Sequence, residues 1–143
     1  MKHTLILVVD DDPEMLEAIR LRLGAGGHVV RTATDGVQAT RLALTERPDL
    51  VVLDIGLPGG DGHTVASRLR ADPRTQSVPI IFLSGRKGEC DYETARTNRV
   101  DKYLTKPFQV EELLLAVDEL LAREPRRQAP SREPDTVLRG SAL

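Results

Sequence analysis

Short runs rich in Val, Ile and Leu alternate along this chain with longer segments in which apolar residues recur every three or four positions. The runs suit strands, and the longer period suits helices with one buried face. Five such pairs in succession predict βα units around a parallel sheet, an α/β fold. The first strand is LILVV, residues 5–9. Asp12 then offers a helix cap with Pro13 at the first helical position, and Met15, Leu16, Ile19 and Leu23 form one apolar face before Gly24. Residues 28–33 alternate as a second strand. Asp35 and Gly36 turn into a helix using Ala39, Leu42 and Ala43, which Pro48 stops. LVVLDI at 50–55 and PIIFLS at 79–84 read as strands buried on both faces, joined by the glycine-rich loop 56–62 and a helix with Val65 and Leu69 inward. Segment 88–99 offers only Cys90, Tyr92 and Ala95 to a core, so it predicts a loosely held surface helix. A short strand at 102–104 leads to Lys106 and Pro107. The last helix is the clearest, with Val110, Leu113, Leu114, Val117, Leu120 and Leu121 at helical spacing.

After residue 123 three prolines, several arginines and almost nothing apolar predict a disordered tail at 124–143, which leaves 1–123 as one folded domain. Net charge is −2, from 20 basic and 22 acidic residues. No broad basic field exists, so the expectation is no direct nucleic-acid binding and no membrane association. The single cysteine, Cys90, excludes an internal disulfide or a multi-thiolate metal site. The apolar run after Lys2 is too short for a signal peptide or membrane span, and the expectation is a soluble cytoplasmic protein. Two Phe, two Tyr and no Trp leave little for base stacking.

In a parallel α/β sheet the loops at the carboxyl ends of the strands line the ligand crevice. The pattern above puts Asp10, Asp11 and Asp12 after the first strand, Asp54 at the end of the third, Ser84 at the end of the fourth and Lys106 after the fifth. Each has an ordinary explanation by itself: Asp12 as a cap, Asp54 as a turn residue, Lys106 as a solvated charge. Together at one sheet edge they suit Mg²⁺, a hard cation that takes one or two carboxylates and keeps several waters. A carboxylate beside Mg²⁺ and an ammonium can act as nucleophile towards a phosphoryl group, and the product is an aspartyl phosphate.

VVDD at 8–11, VVLDIGLPGGDG at 51–62, IIFLSG at 80–85 and YLTKPF at 103–108 resemble the receiver domain of two-component response regulators. The resemblance covers roughly residues 4–123 and implies a flavodoxin-like, doubly wound five-stranded sheet of order 2-1-3-4-5 with helices on both faces. It implies that Asp54 accepts a phosphoryl group from a sensor histidine kinase or a histidine phosphotransfer protein. It also implies that Asp11 ligates Mg²⁺ directly, that Asp10 acts through water, and that Gly56 offers a backbone carbonyl. Lys106, before a proline that is typically cis, would pair with phosphoryl oxygens; Ser84 and Tyr103 would be the switch pair. The implied output face is helix 4, strand 5 and helix 5, on a monomer or a weak, phosphorylation-dependent homodimer. Such a protein catalyses its own phosphorylation and dephosphorylation rather than turning over a separate substrate. With no effector segment in view, a stand-alone regulator is expected.

Departures from the family pattern are also informative. Many relatives carry Gly-Ala-Asp where this chain has Arg99, Val100 and Asp101, so the left-handed residue after the fourth helix is expected at Asn98. Gly56, Gly59, Gly60 and Gly62 leave little side-chain cover over Asp54, which predicts a short-lived acyl phosphate. His3, His28 and His63 read as surface or strand residues, and Cys90 shows no sign of reactivity. The competing class is a pseudo-receiver, a binding module whose output ignores phosphate, but every required position is filled. A haloacid-dehalogenase-type phosphatase usually carries a cap domain, which does not fit here, and DDD would repel the phosphate of a flavodoxin cofactor.

Overall fold

The computed structural model describes residues 3–57, 61–85 and 90–123. The expected tail and the loop glycines Gly59 and Gly60 lie outside these residues. Ten elements alternate: β1 (Leu5–Val9), α1 (Pro13–Ala25), β2 (Val29–Ala33), α2 (Gly36–Glu46), β3 (Leu50–Asp54), α3 (Gly62–Ala71), β4 (Ile80–Ser84), α4 (Tyr92–Thr97), β5 (Lys102–Thr105) and α5 (Val110–Leu121). All strand pairs are parallel and the order is β2-β1-β3-β4-β5, the flavodoxin-like arrangement expected.

The period of two within each strand explains the unbroken apolar runs. Ile6, Val8, Leu50, Val52, Ile81 and Leu83 point to the face covered by α1 and α5. Leu7, Val9, Val51, Leu53, Ile80 and Phe82 point to the other, covered by α2, α3 and α4. Both faces are dry, so no strand of the central three can spare a position for a polar side chain before its end.

Four helices begin on an aspartate. Asp12 accepts from the amides of Glu14 and Met15, Asp35 from Gln38, Asp61 from Thr64 and Asp91 from Thr94. Each cap satisfies amides that the first turn leaves unpaired. At the start of α5 the Glu112 carboxylate reaches back to the Gln109 amide at 2.8 Å. The first helix continues past Gly24 to Ala25, and Gly27 (φ 95°) takes the left-handed turn.

The fourth helix is a six-residue element in which only Ala95 is buried, as its thin apolar pattern suggested. Its ending corrects the expectation: Asn98 stays right-handed (φ −86°) and Arg99 is left-handed (φ 55°). Asn98 is held by its own side chain, whose amide donates to Ser67 Oγ at 3.0 Å. The Arg70 guanidinium, almost fully buried, donates to the carbonyls of Asn98 (2.7 Å), Gln76 (3.0 Å) and Arg99 (3.2 Å). Those carbonyl bonds, with Val100 N–H on Ala95 O at 3.0 Å, fix the turn one residue later than propensity favours. His63 also departs from its expected place, lying half-buried in the first turn of α3. No described helix is long and apolar enough to cross a membrane.

Candidate functional site

The chain leaves β1 and β3 in opposite directions, so the crevice between their carboxyl ends is crossed by neither following helix. Val9 pairs with Leu53 in register, and the next residues along each strand are Asp10 and Asp54. Adjacency of the two strands therefore sets the spacing of the two carboxylates. Asp10 is fully buried and Asp54 is 5 % exposed, while Asp11 projects into solvent. One oxygen from each of Asp10, Asp11 and Asp54 lies within 4.8 Å of the others.

Among the described residues, one ammonium faces this acidic trio. Lys106 Nζ lies 2.8 Å from Asp10 Oδ2 and 3.4 Å from Asp54 Oδ2. It reaches them from the loop after β5, whose first amide bonds Ser84 O at 2.7 Å; the Lys106–Pro107 peptide is cis, as the resemblance implies. Asp10 Oδ1 accepts from the Asp12 amide at 2.9 Å, and Asp54 Oδ1 from the Gly56 amide at 3.2 Å. Burial, reinforced by the Asp10 charge, raises the Asp54 carboxyl above the ordinary range, although Lys106 and the Gly56 amide pull it down. Burial lowers the Lys106 ammonium, but its bond to Asp10 and the charges of Asp10 and Asp54 outweigh that and raise it overall. Lys106 is thus firmly cationic at neutral pH, and Asp54 carries unrelieved electrostatic cost.

The three consecutive aspartates divide their work. Asp12 caps α1, Asp10 is the buried partner of Lys106, and Asp11 stands exposed with its oxygen towards the other two. All donors are hard oxygens and the formal charge of the trio exceeds that of Lys106, a set that fits a small divalent cation.

Ser84 closes β4 and is 7 % exposed; its backbone pairs with Thr105 beside Lys106. Tyr103 sits on β5, 38 % exposed, with its ring edge-on to Tyr92 at 5.1 Å and to Phe82 at 6.4 Å. The ring points outward here, towards α4, rather than towards the acidic crevice. The Gly56 amide faces Asp54, and Gly56 itself is exposed.

Sequence reading missed one contributor. Gly62 is buried at the start of α3, and its amide bonds Ile55 O at 2.8 Å. A Cβ there would come within 2.8 Å of Ile55 Cα and 3.0 Å of Asp54 O. It was grouped with glycines that leave Asp54 uncovered, whereas it lets α3 press against the backbone that carries Asp54. Cys90, which precedes α4, is 7 % exposed and belongs to the core.

A family model for the response regulator receiver domain matches residues 6–118, and the chain belongs to that family. A response regulator structure from Chloroflexus aurantiacus is 34 % identical, covers 85 % of this chain and 100 % of its own, and superimposes with a TM-score of 0.78. The receiver domain of a sensor histidine kinase from Pseudomonas aeruginosa, with a magnesium ion in its active-site cleft, is 31 % identical over 85 % of this chain and all of its own (TM-score 0.74). Among curated relatives, the DNA-binding dual master transcriptional regulator RpaA of Synechocystis is 38 % identical over 94 % of this chain and 56 % of its own length. The transcriptional regulatory protein PrrA of Mycobacterium tuberculosis is 40 % identical over 92 % and 56 %. The chain thus spans about half the length of these relatives.

These relatives overturn the expectation that nucleic acid is not a partner. That expectation came from the near-neutral charge of 143 residues, and a relative of nearly twice the matched length is DNA-binding by name. Charge balance measures the field around one domain and is silent on how the rest of a protein meets DNA.

Proposed function

We propose that this receiver is a phosphorylatable switch in a phosphorelay, with Asp54 as the phosphoacceptor. Asp54 Oδ attacks the phosphorus of a phosphohistidine on a sensor kinase or phosphotransfer protein. The P–N bond breaks, its electron pair returns to the imidazole, and an acyl phosphate forms on Asp54. Lys106 is close enough to transfer its pairing from the Asp54 carboxylate to the incoming phosphoryl oxygens, and the Ser84 hydroxyl donates to one of them. Asp10, Asp11 and Asp54, with the Gly56 carbonyl, would hold Mg²⁺, which supplies charge neutralisation at the transferring oxygens. Attack by water on the same phosphorus breaks its bond to the Asp54 oxygen, releases inorganic phosphate and returns Asp54 to its free carboxylate. Ser84 and Tyr103 pass the change to the face of α4, β5 and α5 by biasing a two-state equilibrium.

The observation that carries the reading is the buried Asp54, raised by burial and by Asp10, with the Lys106 ammonium at 3.4 Å. Intact mass spectrometry of the protein and of Asp54→Asn, incubated with acetyl phosphate in Mg²⁺ or in EDTA, tests it. The expected result is one phosphoryl adduct that requires both Mg²⁺ and Asp54. No adduct from acetyl phosphate or from kinases of related receivers would put the pseudo-receiver reading in its place.

A further inference from the structure

His63 ties two elements that the phosphoacceptor chemistry does not join. Its Nε2 accepts the backbone N–H of Asp91, the cap residue of α4, at 3.0 Å. Its ring stands edge-on to the buried Phe82 of β4, centroids 5.1 Å apart and planes at 88°. Phe82 touches Tyr103, and Tyr103 touches Tyr92, the residue after Asp91. The contacts close a ring: α3 to β4 to β5 to the first turn of α4 and back to α3.

Only a neutral imidazole can accept at Nε2, so the proton must sit on Nδ1. Nδ1 is buried and has no hydrogen-bond partner among the described residues. A buried donor without an acceptor is costly to keep, and the cost is balanced only by what the other nitrogen does. We propose that His63 is a positioning residue of the switch: its neutral ring holds the first turn of α4 against α3, and protonation releases it.

The surrounding groups set the direction. Among the described residues, Asp91 at the start of α4 is the charged neighbour; Phe82 on β4 is apolar; Asp61, the cap of the helix that carries His63, is engaged by the Thr64 amide and hydroxyl. The Asp91 carboxyl is held below the ordinary range, first by the Thr94 hydroxyl and then by the Thr94 amide. A proton on Nε2 faces the Asp91 amide hydrogen and repels it, while the new cation competes with Thr94 for the Asp91 carboxylate. Both effects loosen the start of a helix that is one and a half turns long. The tie therefore belongs to the neutral ring alone. The inference rests on the phosphoacceptor reading only for its consequence, that acidification would free the output face without phosphate.

The test uses unphosphorylated protein, so it stands or falls apart from any adduct on Asp54. Long-range ¹H–¹⁵N spectra should give the Nδ1–H tautomer for His63 at about pH 8. Hydrogen-exchange protection of the Asp91 amide should fall about tenfold as His63 titrates, the size expected for loss of one hydrogen bond. Emission from Tyr92 and Tyr103, the chain's two tyrosines in the absence of tryptophan, should change with the same midpoint. In His63→Phe, which keeps the ring contact, protection should be low and independent of pH. An Nε2–H tautomer, or Asp91 protection indifferent to His63 titration in the unsubstituted protein, overturns the proposal whether or not the variant folds.

Discussion

Replacing Lys106 by methionine keeps a long apolar stem and deletes the ammonium. At an effective dielectric of about 20, a pair of unit charges at the 2.8 and 3.4 Å separations of Lys106 from Asp10 and Asp54 is worth about 5–6 kcal/mol. Carboxylate oxygens up to 4.8 Å apart repel by about 3.5 kcal/mol on the same scale. The net loss is smaller, because the ammonium gives up hydration to sit there. Removing one member of a buried pair costs about 3–5 kcal/mol, and the 23 % exposure of the Lys106 side chain places this case near the lower end. Urea titrations at neutral pH in EDTA should therefore show a loss of about 3 kcal/mol. The pH dependence supplies the sharper check. Asp54 is already raised, by burial first and Asp10 next, and deleting Lys106 raises it further. A carboxyl whose folded pKa exceeds its unfolded one binds its proton more tightly in the folded state, so stability recovers as pH falls through the folded value. The penalty should be full at about pH 7.5, shrink towards about pH 4.5, and be relieved at neutral pH by Mg²⁺. A loss equal at both pH values and blind to Mg²⁺ would assign Lys106 to packing and refute the electrostatic account.

Three further outcomes follow from the geometry. Gly62→Ala places a methyl against backbone rather than a yielding side chain, so it should destabilise by about 1–3 kcal/mol in thermal or urea melts and slow adduct formation on Asp54; an unchanged melt would show that the α3 start can shift freely. Arg99→Gly should stabilise by about 0.5–1 kcal/mol by relieving the left-handed backbone, whereas Asn98→Gly should destabilise; the reverse order in urea titrations would return the turn to Asn98. Gly56→Asn should slow loss of the phosphoryl group from Asp54, timed by the decay of the adduct mass, and an unchanged rate would remove the idea that open glycine backbone admits water.

How far the sequence could be read depends on whether a feature is local. Aspartate caps at 12, 35, 61 and 91 sit immediately before their helices, and alternation within β1, β3 and β4 is a property of a few neighbouring residues. The acidic residues and Lys106 were legible because strand ends are legible and the sheet gathers them. The Arg99 turn was not, since Asn98 has the better local propensity and loses to Ser67 and Arg70, 31 and 28 residues away. Gly62 and His63 were misjudged for the same reason: nothing within a few residues of either announces Ile55, Asp54 or the Asp91 amide. Partner choice failed differently, because net charge describes the field around the residues counted, whereas a relative named as DNA-binding has nearly twice the matched length.

The order of the strands explains why the charges stand where they do. β1 and β3 are neighbours, so residues that follow Val9 and Leu53 are held about one strand spacing apart, about 4.8 Å, whatever the loops do. Two carboxylates at that distance can share one cation without any further adjustment. β5 lies two places from β3, beyond the reach of a short side chain, so the opposing charge has to come on a long one, and Lys106 supplies it. Both layers of helices seal the sheet below this edge, which leaves the apolar runs no polar position until their last residues. A five-residue apolar strand that ends abruptly in three aspartates is therefore what the topology requires: a dry interior up to Val9, then the whole polar content of the strand concentrated at the open end of the crevice.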